Sequence, residues 1–491
     1  MKKIIFFAFA AAALVGCVKE NLNSVEEGVL KPMTISAGVD ADTKAHLDGK
    51  SVVWDATDVL GIYDGGSAIK KFTTSEDKIN GTSADFTGQA AYLDMYYAVY
   101  PYSDAVRFDA STTTFTTSIP TTQTASADNG FMNGAYIAVA KADCASGEPL
   151  RFKNVCSYIK VTVSESNVKK VVVKSASGSK LLTGKINVKV TDGDPETTVY
   201  DGSTLVYLVP ASGSDYIDPG TYYIAVAPQN LNASEYSIRK VYDSTMKVWT
   251  GTKAFELKRN TPVNFGDLAA ANFTWEEFTQ VDLSSSAIFD NSNEYGIGAG
   301  NMRTNGTNDT KDYVNLWDNN KNSFVYLETT PLYGTTISAS YGAYMRWVFK
   351  SAEKPAALIF EYVTVTYYGT EGTAYEGYPT PGYNYTPWTL SVWDPINNST
   401  KMIKRLTVED DAIPWESGQT YTSDIITAAS AGDDAFERFQ LSCLRSRKNV
   451  GPGVAAKDAT DNIEWMDFTG TKAPYNWGLA ELKLWTKKKS I

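Results

Sequence analysis

The chain has 491 residues, 43% hydrophobic and 21% charged, a balance that suits about three globular domains and excludes collagen-like or wholly disordered chains. Its formal net charge is -11 and its longest basic run is Lys487 to Lys489, so no surface is expected to track phosphates and nucleic acid is not an expected partner. The single His, His46, removes Ser-His-Asp and Cys-His catalysis and His-based metal sites, and four Cys are too few for a disulfide scaffold or an all-thiolate zinc site in so long a chain.

Lys2 and Lys3 precede an apolar run from Ile4 to Val15. The run is shorter than the ~20 residues a membrane-spanning helix needs and has the length of a signal-peptide core. It ends in Leu14-Val15-Gly16-Cys17, which resembles the lipobox of bacterial lipoproteins; the alternative is an ordinary secretory signal that ends near a Cys. The resemblance implies that residues 1–16 are removed and that Cys17 is acylated. Several acyl chains on one residue anchor firmly where a single chain binds only marginally. Residues 17–32, polar through Glu20, Asn21, Asn23, Ser24, Glu26 and Glu27, then read as a flexible tether.

Beyond the tether, strand signals recur at short intervals: Met33 to Val39, Ser51 to Trp54, Val59 to Tyr63, Met95 to Tyr100, Tyr136 to Ala140, Ser157 to Val163, Val168 to Lys174, Lys185 to Val190, Thr204 to Val209, Thr221 to Ala227 and Tyr236 to Val241. No window up to Leu268 holds a helical apolar period, which favours packed all-β sandwiches over alternating βαβ units. Only Trp54 and Trp249 of the 11 Trp lie before Trp275. That shift in composition sets a domain boundary in Ala269 to Asn272, after a strand expected from Leu257 to Phe265.

Met33-Thr34-Ile35-Ser36-Ala37, Asp42-Thr43-Lys44, Val53-Trp54-Asp55 and Asp58 to Tyr63 together resemble the fimbrillin-like lipoproteins of outer membranes, as do Tyr97-Ala98-Val99-Tyr100-Pro101, Leu150 to Asn154 and Leu257 to Leu268. The resemblance implies two tandem transthyretin-like sandwiches, 33–147 and 148–268. Cys144 and Cys156 flank their division, either as two thiols or as a disulfide. It further implies assembly with other fimbrial subunits by insertion of a donor strand after a protease removes the first strand. The chain departs from that pattern twice. It has no Arg before Arg107, leaving Lys44 and Lys50 as cleavage sites, and it carries a Trp-rich domain where a donor strand would lie.

In that domain, 275–491, four segments resemble discoidin-like (coagulation factor 5/8 type C, galactose-binding-like) domains: Leu316 to Ser323, Tyr383 to Val392, Ala435 to Leu441 and Trp477 to Trp485, with Ala356 to Tyr367 as a core strand. The resemblance implies a jelly-roll sandwich with ligand loops at one end. It also makes Asp318, Asn320, Ser323 and Glu481 candidate Ca²⁺ ligands, the alternative being a metal-free loop closed by Asp318 side-chain hydrogen bonds. The stretch Tyr367 to Trp388 is a long aromatic loop. Tyr375, Tyr378, Tyr383 and Tyr385 are its candidates for stacking on a sugar face, while Trp388 and Trp485 are expected in the core. Arg447, like Arg445, follows the Phe439 to Leu444 strand and is either a donor to sugar hydroxyls or a solvated strand end. The expected protein is a surface or fimbrial lipoprotein of the outer membrane that binds glycan. A structural fimbrial subunit is the runner-up, and a glycosidase comes third because paired carboxylates of unknown geometry are no evidence for one.

Overall fold

The computed structural model describes residues 29–39, 54–125, 132, 134–143, 148–176, 180–290, 300–304, 316–320, 325–329, 344–367, 388–396, 399–407, 420–428, 435–443 and 476–488. Among them every regular element is a strand, apart from short 3-10 turns such as Glu76–Lys78 and Ser351–Glu353. The chain is all-β, as its short alternating segments predict.

The first unit comprises β1 (Lys31–Val39), β2 (Val59–Tyr63), β3 (Lys70–Thr73), β4 (Ser83–Ala90) and β5 (Met95–Tyr100). After β6 (Thr114–Ile119) it resumes with β7 (Ala138–Asp143) and β8 (Leu150–Asn154). β1 pairs antiparallel with β4 along one edge and parallel with β8 along the other, so the sheet β1-β8-β7-β5-β2-β3-β4 closes on itself. The two open edges of the expected sandwich are thus joined through β1. Ile35, Leu60, Ile62, Phe72, Phe86, Ala98 and Phe152 fill the interior. Each large apolar side chain buried in this way contributes about 1.5–3 kcal/mol. Trp54 lies edge-on to Phe86, Tyr100 and Phe152 at 5.1, 5.4 and 5.6 Å, bridging the two strands that flank β1.

The second unit holds β9 (Ser157–Val163), β10 (Lys170–Ser175), β11 (Thr183–Lys189), β12 (Glu196–Ser203), β13 (Leu205–Val209), β14 (Gly220–Val226), β15 (Tyr236–Val241), β16 (Thr245–Thr250) and β17 (Pro262–Asp267). One layer is the three-stranded sheet β14-β9-β17, and the other is built on β13-β10-β15-β16. Ile159, Val161, Val171, Val173, Leu208, Ile224 and Ile238 fill the space between them. Gly251 is required here, because a Cβ at that position would sit 1.9 Å from the Tyr236 ring. The expected strand from Leu257 to Phe265 is instead two strands, Phe255–Leu257 and β17, separated at Asn260, whose left-handed φ of 58° breaks the extended backbone.

Pairing crosses the division between the first two units. β6 joins β11, and Thr122–Thr124 runs parallel to β13. Tyr158 and Tyr223 of the second unit belong to the same core as the barrel. Asn154 ties the corner: its Nδ2 donates to Tyr158 Oη at 2.9 Å and to Asn260 Oδ1 at 3.1 Å, and its Oδ1 accepts from the Cys156 N–H at 2.9 Å. Outside, Lys141 and Arg259 pair with Asp192 and Asp194 of one acidic turn, and Lys153 Nζ donates to the Gly193 carbonyl at 2.7 Å. Cys156 is a free, buried thiol whose pKa burial pushes up to about 12; Cys144 lies outside the described residues.

The C-terminal unit contains β18 (Glu276–Val281), β19 (Val325–Thr329), β20 (Tyr344–Val348), β21 (Pro355–Tyr367), β22 (Trp388–Ile396), β23 (Thr420–Thr422), β24 (Arg438–Cys443) and β25 (Asn476–Lys488). One layer is β20-β24-β22 with Ser399–Thr407. The other is β21 and β25 with β19, β23 and β18. Trp347 stacks on Phe439 with ring centroids 4.7 Å apart, and Phe360 of β21 meets Phe439 edge-on at 5.4 Å, so the two layers pack face to face. Trp485 is buried here as expected; Trp388 begins β22.

The segment 269–272 is an exposed turn, and one sheet continues across it. β18 pairs with β16 of the second unit on one side and with β25 on the other. Phe273 and Trp275, just past the turn, pack on the second unit's own core.

Candidate functional site

The direction of each strand decides which loops of the C-terminal unit meet. β24 and β21 start together, where the Phe436 N–H donates to the Pro355 carbonyl at 2.8 Å, and they run the same way, since Phe439 then packs on Phe360. Tyr367 ends β21 opposite Asn476, the start of β25, and Cys443 ends β24 opposite Trp388, the start of β22. β20 begins at Tyr344 opposite Ser442, and β19 runs from Val325, opposite Leu479, toward the Asn476 end. The strand ends Thr329, Tyr344, Tyr367, Trp388, Cys443 and Asn476 therefore lie toward one end of the sandwich.

This register places the strand ends Tyr367, Trp388, Cys443 and Asn476 at one end of the sandwich. Tyr375, Tyr378, Tyr383 and Tyr385, between Tyr367 and Trp388 in sequence, and Arg447, between Cys443 and Asn476, lie outside the described residues. Cys17 also lies outside them. The register was not readable from periodicity. It follows from which strands pair, and no local signal encodes that.

Three of the four candidate metal ligands are described. Leu316 is buried and Trp317 packs on the same core, which anchors a turn whose Asp318, Asn319 and Asn320 are exposed. Asp318 Oδ1 accepts the Asn320 N–H at 2.8 Å, and Asn319 takes the left-handed φ of 58°, an arrangement that short polar side chains tolerate. Glu481 is buried on β25, two residues from Leu479, with which Val325 at the start of β19 pairs. Asp318, Asn320 and Glu481 are hard oxygen donors that suit Ca²⁺, and Ser323 lies outside the described residues. No group of three or more Asp, Glu, His or Cys that would hold a metal occurs among the described residues.

No family matches the chain, and no curated protein matches it. Among solved structures, it is similar to a protein of Bacteroides thetaiotaomicron provisionally described as a cell adhesion protein, with 13% identity and a TM-score of 0.26 over 47% of this chain and 91% of that one. The VP2 subviral particle of infectious bursal disease virus matches at 11% identity and a TM-score of 0.16 over 96% of this chain and 75% of that one. The structure of the Gt strain of the same virus matches at 11% identity and a TM-score of 0.15, over 97% of this chain and 76% of that one.

Proposed function

We propose that this chain is a lipid-anchored protein of the outer-membrane surface that binds glycan at the end of its C-terminal sandwich. The observation that carries the reading is the strand register. Strand ends of both layers, among them Tyr367, Trp388, Cys443 and Asn476, gather at one end, and in sequence the four tyrosines lie between the first two and Arg447 between the last two. Binding sites form where loops from a rigid scaffold converge and offer aromatic area with a few polar groups. Single protein-sugar sites compete with water for every hydroxyl, so affinity is of micromolar to millimolar order, and many copies on one cell supply useful adhesion.

The test is a glycan array probed with the intact mature chain, because the C-terminal unit shares a sheet and a core with the second unit. Against an identified glycan, Tyr383→Ala and Tyr385→Ala are expected to abolish or weaken binding without moving the melting temperature. Unchanged binding in both, with loss on substitution at Asn319 to Lys321, would move the site to the Asp318 turn. Cys17→Ser is expected to release the protein from the membrane fraction. Ca²⁺, if held by Asp318, Asn320, Ser323 and Glu481, raises the melting temperature of chelator-treated protein.

A second reading, a fimbrial subunit that accepts a neighbour's strand, is favoured by the place of β1 between β4 and β8. Protein cut near Lys44 should then stay monomeric by itself, because its C-terminus is committed to the sandwich.

A further inference from the structure

The outer face of the second unit's sheet is not a solvent face. On β10, Val171 and Val173 point into the second unit's core, whereas Val172 belongs to the core of the C-terminal unit and is flanked by Lys170 and Lys174 on the same side. Tyr207 of β13 and Arg239 of β15 complete this face. Opposite it stand Glu361 of β21, Thr420 and Thr422 of β23, and Ser423 and Asp424 just beyond.

The polar groups of the two faces meet in pairs. Lys170 Nζ donates to Glu361 Oε2 at 2.6 Å and lies 5.6 Å over the Tyr207 ring. Tyr207 Oη donates to the Thr420 carbonyl at 2.9 Å and lies 3.2 Å from Thr422 Oγ1. Arg239 Nη2 donates to the Ser423 carbonyl at 2.8 Å, and Lys174 Nζ is 3.2 Å from Asp424 Oδ1. Arg239, Lys174 and Glu361 are each 5% exposed or less, whereas Asp424 is 45% exposed and Lys170 17%, so the Lys170–Glu361 and Arg239–Ser423 contacts are the better shielded from water. Burial pulls the Arg239 pKa down only to about 10, which leaves it charged at neutral pH.

Across the turn 269–272, a second anchor holds the chain on both sides. Buried Lys240 pairs with Glu165, donates to the Leu268 carbonyl at 3.0 Å, and lies 4.6 Å over the Trp275 ring.

We propose that Lys170, Lys174, Tyr207 and Arg239 form a keyed docking surface that seats the C-terminal unit in one orientation, so that the second and third units open and close as one body with no hinge between them. The inference does not depend on glycan binding or on strand exchange. Apolar burial is non-directional and tolerates several seatings. A shifted seating, however, leaves buried Glu361 without its lysine and takes from buried Arg239 its bond to the Ser423 carbonyl, and an uncompensated buried charge is far costlier than the pair itself is favourable. The key acts by penalising wrong seatings.

Hydrogen exchange by mass spectrometry on the full mature chain tests this. In the wild type, peptides from β10 and β15 and peptides from β21 and β25 are expected to exchange through one common opening. Lys170→Glu and Glu361→Lys each place like charges together, and each should speed exchange of β21 and β25 on the order of 100-fold or more while β9 and β14 stay protected. The double variant, with the charges swapped, should restore the common opening. Should either single variant fail to fold, Glu361→Gln, which removes the charge and keeps the shape, is expected to uncouple the two sets of peptides. Separate openings in the wild type, a double variant no better than the worse single one, or unchanged exchange in the single variants would each overturn the proposal.

Discussion

β8 and β10 each carry two basic residues, two positions apart in β8 and four in β10, and have opposite surroundings. β8 reads Leu150-Arg151-Phe152-Lys153-Asn154, with Leu150 and Phe152 buried, Arg151 exposed and Lys153 reaching an exposed turn at the Gly193 carbonyl. β10 reads Lys170-Val171-Val172-Val173-Lys174-Ser175, and everything past Lys170 is buried, the second lysine included. Charge on alternate positions normally marks a solvated face. In β10 that face is covered by another unit, and its lysines serve as partners for buried acceptors. A sheet buried on both sides thus welds two domains that composition alone separates.

The comparison breaks most sharply at Val172. Val172→Asp puts a carboxylate into the core shared by the second and third units and should cost about 4 kcal/mol or more, enough to lose soluble, cooperatively melting protein.

Asp58 gives an intermediate effect that varies with pH. It accepts the Tyr100 hydroxyl and the Asp55 N–H, both at 2.7 Å, beside the barrel strand β2. Burial, the largest influence, raises its pKa above the ordinary 3.8. A raised folded-state value means that the stability contributed by this group is complete below pH 3.8 and is lost as the pH climbs through the folded value. Denaturant midpoints should therefore show wild type losing ground against Asp58→Asn between acidic and neutral pH; a constant difference would contradict the sign.

The smallest effect belongs to the exposed side of β8. Arg151→Asp should change stability by no more than about 0.5 kcal/mol in a thermal scan. A larger loss would mean that this face, too, is covered.

Much of the fold is legible locally. The strands expected over Ser157 to Val163 and Tyr236 to Val241 coincide with β9 and β15, because each is a run of β-branched and aromatic residues bounded by turn formers. β4 escapes such a reading. Ser83-Ala84-Asp85-Phe86-Thr87-Gly88-Gln89-Ala90 carries only one large apolar residue, and it becomes a strand because it lies along β1, with Phe86 opposite Ile35. The break at Asn260 is equally hidden in an otherwise continuous strand signal.

By itself the sequence determined the all-β class, the change of composition near residue 272 and the residue types suited to sugar or calcium, since each of these depends on local alternation or on chemistry carried by single side chains. Tertiary structure alone decided that β1 closes a barrel, that Tyr367, Trp388, Cys443 and Asn476 share one end of a sandwich, and that Lys170, Lys174 and Arg239 face protein. The reason is physical. A strand's pattern states which residues want burial on each face but not what will cover that face. The covering partner is set by pairings between segments hundreds of residues apart, as between Lys170 and Glu361.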